Sequence, residues 1–141
     1  MPWTGLKTRR LWAESVNEGY RFFGRDVVTY DWDSTNGYFD TTNDGTYHDL
    51  DISGTVPMGA KIAYIQASIL GIVGDSMYFR RKGDVGTEGL IMSVPAVGIY
   101  YPQRFMVEID TEGKIQYALN VNGAPNAPIS SVYISIYGWW K

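Results

Sequence analysis

The stretch from residue 129 to residue 141 constrains the fold more than any other part of the chain. From Val132 onward, β-branched residues alternate strictly with aromatic and hydroxyl residues. A period of two is that of a β-strand, whose successive side chains point to opposite faces of a sheet. The pattern puts Val132, Ile134, Ile136 and Gly138 on one face and Tyr133, Ser135, Tyr137 and Trp139 on the other. We therefore expect a strand inside a sheet, with both faces at least partly covered.

Short segments with the same period recur along the chain. In residues 61 to 70, Ala63, Ile65, Ala67 and Ile69 share one face, which predicts a second central strand. Residues 76 to 82 follow, with Met77 and Phe79 inward. Further strands are predicted at 27–33, 47–53, 104–109 and 115–121, and the proline-containing segment with 90–94 and 97–101 is expected to be an edge strand or an irregular crossing over the end of the sandwich. Segments 104–109 and 115–121 read as a hairpin around Asp110-Thr-Glu-Gly113, in which glycine takes the left-handed conformation of a bulge.

These strands, joined by turn signals and almost without helix, predict one all-β domain. We expect an antiparallel β-sandwich of jelly-roll type with about eight strands over residues 26–141, preceded by an N-terminal arm over residues 1–25. A chain of 141 residues is long enough for one such core. Cysteine is absent, which excludes thiol catalysis, thiolate metal sites and disulfides. No cofactor is expected.

The predicted arm is basic and aromatic. Residues 1–25 hold five basic side chains against two acids, and no apolar segment follows them as in a secretory signal. The arm either packs its aromatic residues on the sandwich or docks on a neighbouring subunit. The docking candidates are Trp3, Lys7, Arg9, Arg10 and Trp12. Because no apolar run is long enough to cross a bilayer, we expect a soluble protein made in a cytoplasm, with no membrane partner.

The next block, residues 26–51, is strongly acidic. It contains seven aspartates and no lysine or arginine. Asp31, Asp33, Asn36 and Asp40 resemble the start of a calcium loop, but Gly37 comes one residue late for the EF-hand spacing and no glutamate closes the loop. Acidic turns on a solvated rim are the expected structure, with no metal.

Enzymatic and nucleic-acid functions find little support. His48 is the only histidine, so any nucleophile would share a single base. The net charge of −3 disfavours nucleic acid, and the basic cluster Arg80-Arg81-Lys82 has no basic face behind it. The glycine-rich segment 83–89 lacks the Gly-Lys-Ser/Thr ending of a phosphate-binding loop. We expect a binding or structural module that is not an enzyme.

Two short motifs resemble a known class of protein. Val56-Pro57-Met58-Gly59, interpreted as a type I turn, leads into the long apolar strand, and Tyr137-Gly138-Trp139-Trp140 closes the chain. From about Leu50 to Lys141 the sequence resembles a β-sandwich module of tailed-bacteriophage virion proteins. The resemblance implies a capsid decoration protein, head fibre or tail adhesin domain, often a homotrimer. It further implies location on the virion, with major capsid or tail proteins and a host surface glycan as partners.

Carbohydrate binding is the alternative function. Sugar-binding sandwiches use exposed aromatic platforms, and the same residue types also form subunit interfaces. The candidate residues for either use are Tyr133, Tyr137, Trp139 and Trp140. Burial of this face by a second subunit would favour assembly, whereas a flat, open row of rings would favour sugar binding.

Overall fold

A computed structural model describes residues 20–34, 46–70, 75–84, 90–93, 101–120 and 131–141. Every regular element in these ranges is a β-strand. The strands are β1 (Phe22–Gly24), β2 (Trp32–Asp33), β3 (His48–Asp51), β4 (Ile62–Leu70), β5 (Ser76–Arg81), β6 (Leu90–Ser93), β7 (Tyr101–Glu108), β8 (Lys114–Asn120) and β9 (Ser131–Trp140). The described part of the chain contains no helix capable of spanning a membrane.

The strands form two antiparallel sheets. The larger sheet has the order β1-β9-β4-β7, with β2 also paired to β9, and the smaller sheet has the order β3-β8-β5-β6. The predicted all-β sandwich is thereby confirmed, and so are the interior positions of β4 and β9. Residues 97–100 and the predicted turns within residues 35–45 lie outside the described residues.

Four antiparallel strand pairs follow one another as a single two-stranded ribbon. Strand β2 pairs with β9, β3 with β8, β4 with β7 and β5 with β6. The chain thus runs outward through β2 to β5 and returns through β6 to β9, with each returning strand beside an outgoing one. Successive pairs of the ribbon fall in different sheets. Most consecutive strands therefore cross from one sheet to the other.

The core lies between the sheets and follows the predicted alternation. The core residues that the four central strands contribute are Ala63, Ile65, Ala67 and Ile69 of β4, Met77 and Phe79 of β5, Ile115, Tyr117 and Leu119 of β8, and Val132, Ile134 and Ile136 of β9. The rings of Phe79 and Phe105 meet across the core at 5.5 Å between centres. The predicted inward faces of β4 and β5 are thus confirmed.

The predicted hairpin of residues 104–109 and 115–121 is wrong. Strand β7 pairs with β4, and β8 pairs with β5 and β3, so the two strands belong to different sheets. The turn between them does form, because the Asp110 side chain accepts hydrogen bonds from the backbone N–H groups of Glu112 and Lys114. Gly113 has a φ of 80°, the left-handed conformation expected of it. The apolar residues of β7 and β8 all contribute to the core, but from different sheets, and alternation alone does not distinguish this arrangement from a hairpin.

Two other local predictions differ from the structure. The strand expected at residues 27–33 is reduced to Trp32–Asp33. The turn near Pro57 is one residue later than predicted, since Ala60 N donates to Pro57 O at 3.2 Å. Gly59 is then the third turn residue, and its φ of 90° is that of a type II turn rather than type I.

A β-bulge in β9 changes which side chains face the core. Gly138 is opposite Tyr64 and Ile136 is opposite Ile65, which leaves Tyr137 as an extra residue. Beyond the bulge the alternation is reversed. Trp139 packs against the core opposite Ala63. The predicted grouping of Trp139 with Tyr133 and Tyr137, and of Gly138 with Ile136, is therefore wrong.

The end of the predicted arm belongs to the larger sheet. Phe22, Phe23 and Gly24 pair with Trp140, Trp139 and Gly138. Arg21 and Lys141 exchange both backbone hydrogen bonds at 3.0 Å. Residues 1–19, which include the docking candidates Trp3, Lys7, Arg9, Arg10 and Trp12, lie outside the described residues.

Substitution of Gly113 by alanine is expected to lower the free energy of unfolding by about 2–3 kcal/mol. The backbone has φ +80°, and the added carbon would lie 2.9 Å from Ser53 Cβ. Gly83→Ala isolates the backbone cost, because Gly83 has φ +97° but open space, and should lose only about 1 kcal/mol. Gly54→Ala should be neutral. Urea unfolding of the three variants tests this order, and equal effects at Gly113 and Gly54 would contradict it.

Candidate functional site

The outer face of the smaller sheet is a connected polar network. The Arg80 guanidinium lies 3.7 Å from the ring centre of Tyr47, and its Nε donates to Gln116 Oε1 at 2.8 Å. Gln116 Nε2 in turn donates to Asp49 Oδ1 at 2.9 Å, and Lys82 Nζ donates to Asp49 Oδ2 at 2.8 Å. The charged groups of this face therefore all have partners within the face itself, and Lys82 and Asp49 form an ion pair.

The pKa values of three of these groups reflect the same contacts. Hydrogen bonds from Lys82 and Gln116 hold the pKa of Asp49 below its ordinary value, and the bond to Asp49 raises the pKa of Lys82. Burial raises the pKa of Tyr47, although Arg80 opposes that shift. A binding partner would have to disrupt these contacts, which makes this face a poor docking surface.

The outer face of the larger sheet carries what we term the aromatic cluster, formed by Phe22, Tyr64, Tyr137 and Trp140. The rings of Phe22 and Trp140 lie 4.7 Å apart at an interplanar angle of 46°. Tyr64 meets Phe22 at 77° and Trp140 at 73°, with both pairs of ring centres 6.2 Å apart. Tyr64 stands edge to face with both neighbours and the third pair is tilted, so the rings form an uneven surface.

Arg104 connects the cluster across strands β4, β7 and β9. Its guanidinium carbon lies 4.3 Å from the ring centre of Tyr137 and 5.8 Å from that of Tyr64. Its Nε donates to Gln66 Oε1 at 3.0 Å. The cation–π contacts orient the guanidinium along the sheet face, where it extends the aromatic cluster with a charged group.

Gly138 lies beneath the ring of Phe22. A β-carbon at this position would collide with that ring and with the carbonyl oxygen of Phe23. Only glycine therefore lets β1 approach β9 closely enough to place Phe22 against Trp140. The bulge and this glycine together bring Tyr137 and Trp140 to one outer surface.

A second aromatic pair lies farther along β9. The rings of Tyr30 and Tyr133 stack at 4.3 Å with an angle of 28°. Because each ring covers a face of the other, the pair is not a flat platform of two open rings. Tyr30 is 49% exposed, so its edge and outer face remain accessible.

The sequence identified only part of this surface. Of the predicted platform residues, Tyr133, Tyr137 and Trp140 lie on the outer side, and Trp139 does not. Phe22, Tyr64 and Arg104 were missed as site residues. The alternation in β4 did separate Tyr64 from the core positions, but nothing local in the sequence indicates that β9, β4 and β7 are neighbours.

The predicted calcium residues do not assemble into a metal site in the described part of the chain. Asp31 Oδ1 and Oδ2 each accept a hydrogen bond from the Arg25 guanidinium at 2.7 Å. Asp33 lies on β2 opposite Tyr133, and Asn36 and Asp40 lie outside the described residues. The described ranges contain no group of three acids or histidines with metal-binding geometry. His48, the only histidine, packs against the ring of Tyr117 at 5.7 Å.

Asp31 and Arg25 instead form hydrogen bonds with backbone groups of β9. Ile136 N donates to Asp31 Oδ2 at 2.7 Å, and Ile136 O accepts from Arg25 Nη1 at 3.1 Å. The bond to Asp31 raises the pKa of Arg25. This ion pair is structural and supports the strand that carries the aromatic cluster.

Two sequence comparisons find no relative of this chain. The chain matches no model of a protein family, and a search of curated proteins finds no similar sequence.

Substitution of Asp31 by alanine is expected to cost about 2–3 kcal/mol of stability. It removes both carboxylate acceptors of the Arg25 guanidinium, which keeps only its bond to Ile136 O, and leaves Ile136 N without its acceptor. Asp26→Ala, which removes an exposed aspartate from the same connection, is the matched control and should change stability by less than about 0.5 kcal/mol. Thermal unfolding with and without a chelator should give the same values; stabilisation by added calcium would contradict the structural role.

Substitution of Asp49 by asparagine should change how stability depends on pH. Because the folded pKa of Asp49 is lowered, its contribution is fully present above the pKa in the unfolded chain, about 3.9, and is lost as pH falls through the folded value. The difference between wild type and Asp49→Asn should therefore be constant near neutral pH and shrink in acid. Urea unfolding over this range measures it, and a difference that grows in acid would contradict the assignment.

Proposed function

We propose that this protein is a structural component on the outside of a tailed-bacteriophage virion and assembles into a homo-oligomer through the aromatic cluster. The observation that carries the assembly is the contrast between the two outer faces. One is a self-compensated polar network, and the other exposes aromatic rings with an arginine among them. Aromatic residues and arginine are enriched at the centres of protein interfaces.

The position of the cluster suits an interface. Tyr64, Tyr137 and Trp140 project from β4 and β9, the two most extensively paired strands of the larger sheet. Each ring is half-buried before any partner binds, so little side-chain entropy remains to be lost on association. A rigid, uneven apolar surface is what a second copy of the same chain can match closely.

Ring geometry favours assembly over the alternative of carbohydrate binding. A sugar ring stacks on one flat aromatic face or on several coplanar faces, whereas the rings of Phe22, Tyr64 and Trp140 are inclined to one another by 46° to 77°. The Tyr30–Tyr133 pair uses one face of each ring in its own stack. An aromatic platform for a glycan is therefore the weaker proposal.

The virion location rests on the resemblance of the Pro57 turn and the C-terminal aromatic motif to phage modules. The four ribbon pairs fit the predicted jelly-roll wrapping, a form that occurs in viral capsid domains and also in lectins. On this proposal the protein has a mechanical role and no catalytic one. The basic residues Lys7, Arg9 and Arg10 would anchor it on an acidic capsid or tail surface.

The native mass of the purified chain tests the assembly. Light scattering should give a homotrimer, and Trp140→Ala or Tyr137→Ala should weaken association by about 30-fold, as for an interface hot spot. Tyr78→Ala is the matched control, because Tyr78 is a half-buried aromatic residue next to the smaller sheet's polar network. The native mass of the Tyr78→Ala variant should equal that of wild type.

A monomeric wild type would overturn the proposed assembly, and an equal effect of Tyr78→Ala would overturn the assignment to the aromatic cluster. Unfolding curves of the variants separate loss of assembly from loss of fold. A chain lacking residues 1–19 tests the anchor. It should keep the wild-type number of subunits and the fold, since β1 and Arg25 are retained, but lose attachment to phage particles.

A further inference from the structure

An open cleft lies at the end of the sandwich where β4 begins and β5 ends. Its volume is about 460 Å³, within the range of pockets for small ligands. One wall is the turn formed by residues 53–60 and the other is the turn formed by residues 109–113, with Lys61 and Arg81 also in the lining. None of the lining residues belongs to the aromatic cluster.

The two cations of the cleft are uncompensated. Lys61 and Arg81 are exposed, and within the described residues neither side chain takes part in a hydrogen bond or ion pair. This contrasts with Arg25, Arg80, Lys82, Arg104 and Lys114, whose side chains all have such partners. A cationic group held without a partner at a cleft wall favours an anionic ligand.

The acids that border the cleft are already engaged. Asp110 Oδ1 accepts from Glu112 N at 3.0 Å and from Lys114 N at 2.7 Å. Glu112 Oε2 accepts from Lys114 Nζ at 3.3 Å. A further cationic side chain lies at the rim, since a β-carbon on Gly59 would be 3.5 Å from Lys141 Cε. The charge left for a ligand is therefore positive.

The remaining lining residues indicate that the ligand has an apolar surface and hydroxyl groups as well as a charge. Met58 is 91% exposed, and with Pro57 it presents an apolar edge to the cleft. Methionine is adaptable and common at binding surfaces. The hydroxyl groups of Ser53 and Thr111 also border the space. Cations, hydroxyl groups and an apolar edge together match a small polyhydroxylated carboxylate.

We propose that this cleft binds a carboxylate-bearing monosaccharide, with Arg81 and Lys61 contacting its carboxylate and the Pro57–Met58 edge packing on its ring. The guanidinium of Arg81 presents the planar fork that pairs with a carboxylate through two parallel hydrogen bonds. This site is separate from the proposed assembly surface, and it does not need the flat aromatic platform that the larger sheet lacks.

Titration with glucuronic acid, followed by amide chemical shifts of the full chain, tests the site. The amides of Gly59, Thr111 and Gly113 should shift in a saturable manner, and glucose, the neutral counterpart, should bind at least about tenfold more weakly. Arg81→Gln and Lys61→Gln should each weaken glucuronic acid binding by about tenfold or more. Both residues are exposed, so the amide spectra should otherwise remain those of the folded protein.

Lys82→Gln is the matched control, because it removes the same charge at the adjacent position from a side chain already paired with Asp49. It should bind glucuronic acid as wild type does. Absence of shifts at the cleft, equal binding of glucose, or an equal effect of Lys82→Gln would overturn the proposal. Inorganic phosphate that shifts the same amides as strongly would overturn the assignment of a sugar acid. None of these binding results depends on the native mass, which tests the proposed assembly separately.

Discussion

The fold depends on satisfying the backbone of β9 on both sides. One side pairs with β4 along its whole length, but the other meets only the short strands β1 and β2, between which the chain leaves the sheet. At this gap the carboxylate of Asp31 and the guanidinium of Arg25 take the place of a neighbouring strand and bind the N–H and C=O of Ile136. Farther along, Ser34 Oγ accepts from Val132 N at 2.9 Å. Because unpaired buried backbone groups are costly, these side chains allow β9 to be central although its partner strands are interrupted.

The gap between β1 and β2 lies beside the β-bulge of β9. Together they determine which aromatic residues of β9 face the core and which face outward. The extra residue at Tyr137 turns Trp139 into the core and Trp140 outward, and the Arg25–Asp31 pair covers the backbone beside the bulge. A regular strand would have buried Trp140 and Gly138 while exposing Trp139. It would also have separated Trp140 from Tyr64 and Phe22. The aromatic cluster is thus a consequence of one inserted residue and of the ion pair that lets the sheet accommodate it.

Alternation was sufficient to predict most of the strands, though not β1, and the inward faces of β4, β5 and the first part of β9, because burial on one face of a sheet imposes a period of two. It could not predict the bulge, since Tyr137 is a residue suited to any strand position and only the pairing with β4 reveals the extra residue. Nor could it predict that β7 and β8 lie in different sheets, because the same apolar pattern serves a hairpin and an inter-sheet connection. The role of Asp31 was also hidden. An aspartate in an acidic block looks like a calcium ligand or a solvated turn until Arg25 is found beside it.

The two outer faces of the sandwich differ in what a partner would have to displace. On the smaller sheet, Asp49 already accepts bonds from Lys82 and Gln116, so covering it would trade established charge-assisted bonds for new ones with little net gain. On the larger sheet, the edges of Phe22 and Trp140 are in contact with water, and burying them gains apolar area at about 25 cal/mol per Å². The side chain of Arg104 can then reach a partner's carboxylate or carbonyl without leaving Tyr137. The cleft near Lys61 and Arg81 is lined by no residue of the aromatic cluster, so the proposed subunit association and the proposed ligand binding use different side chains.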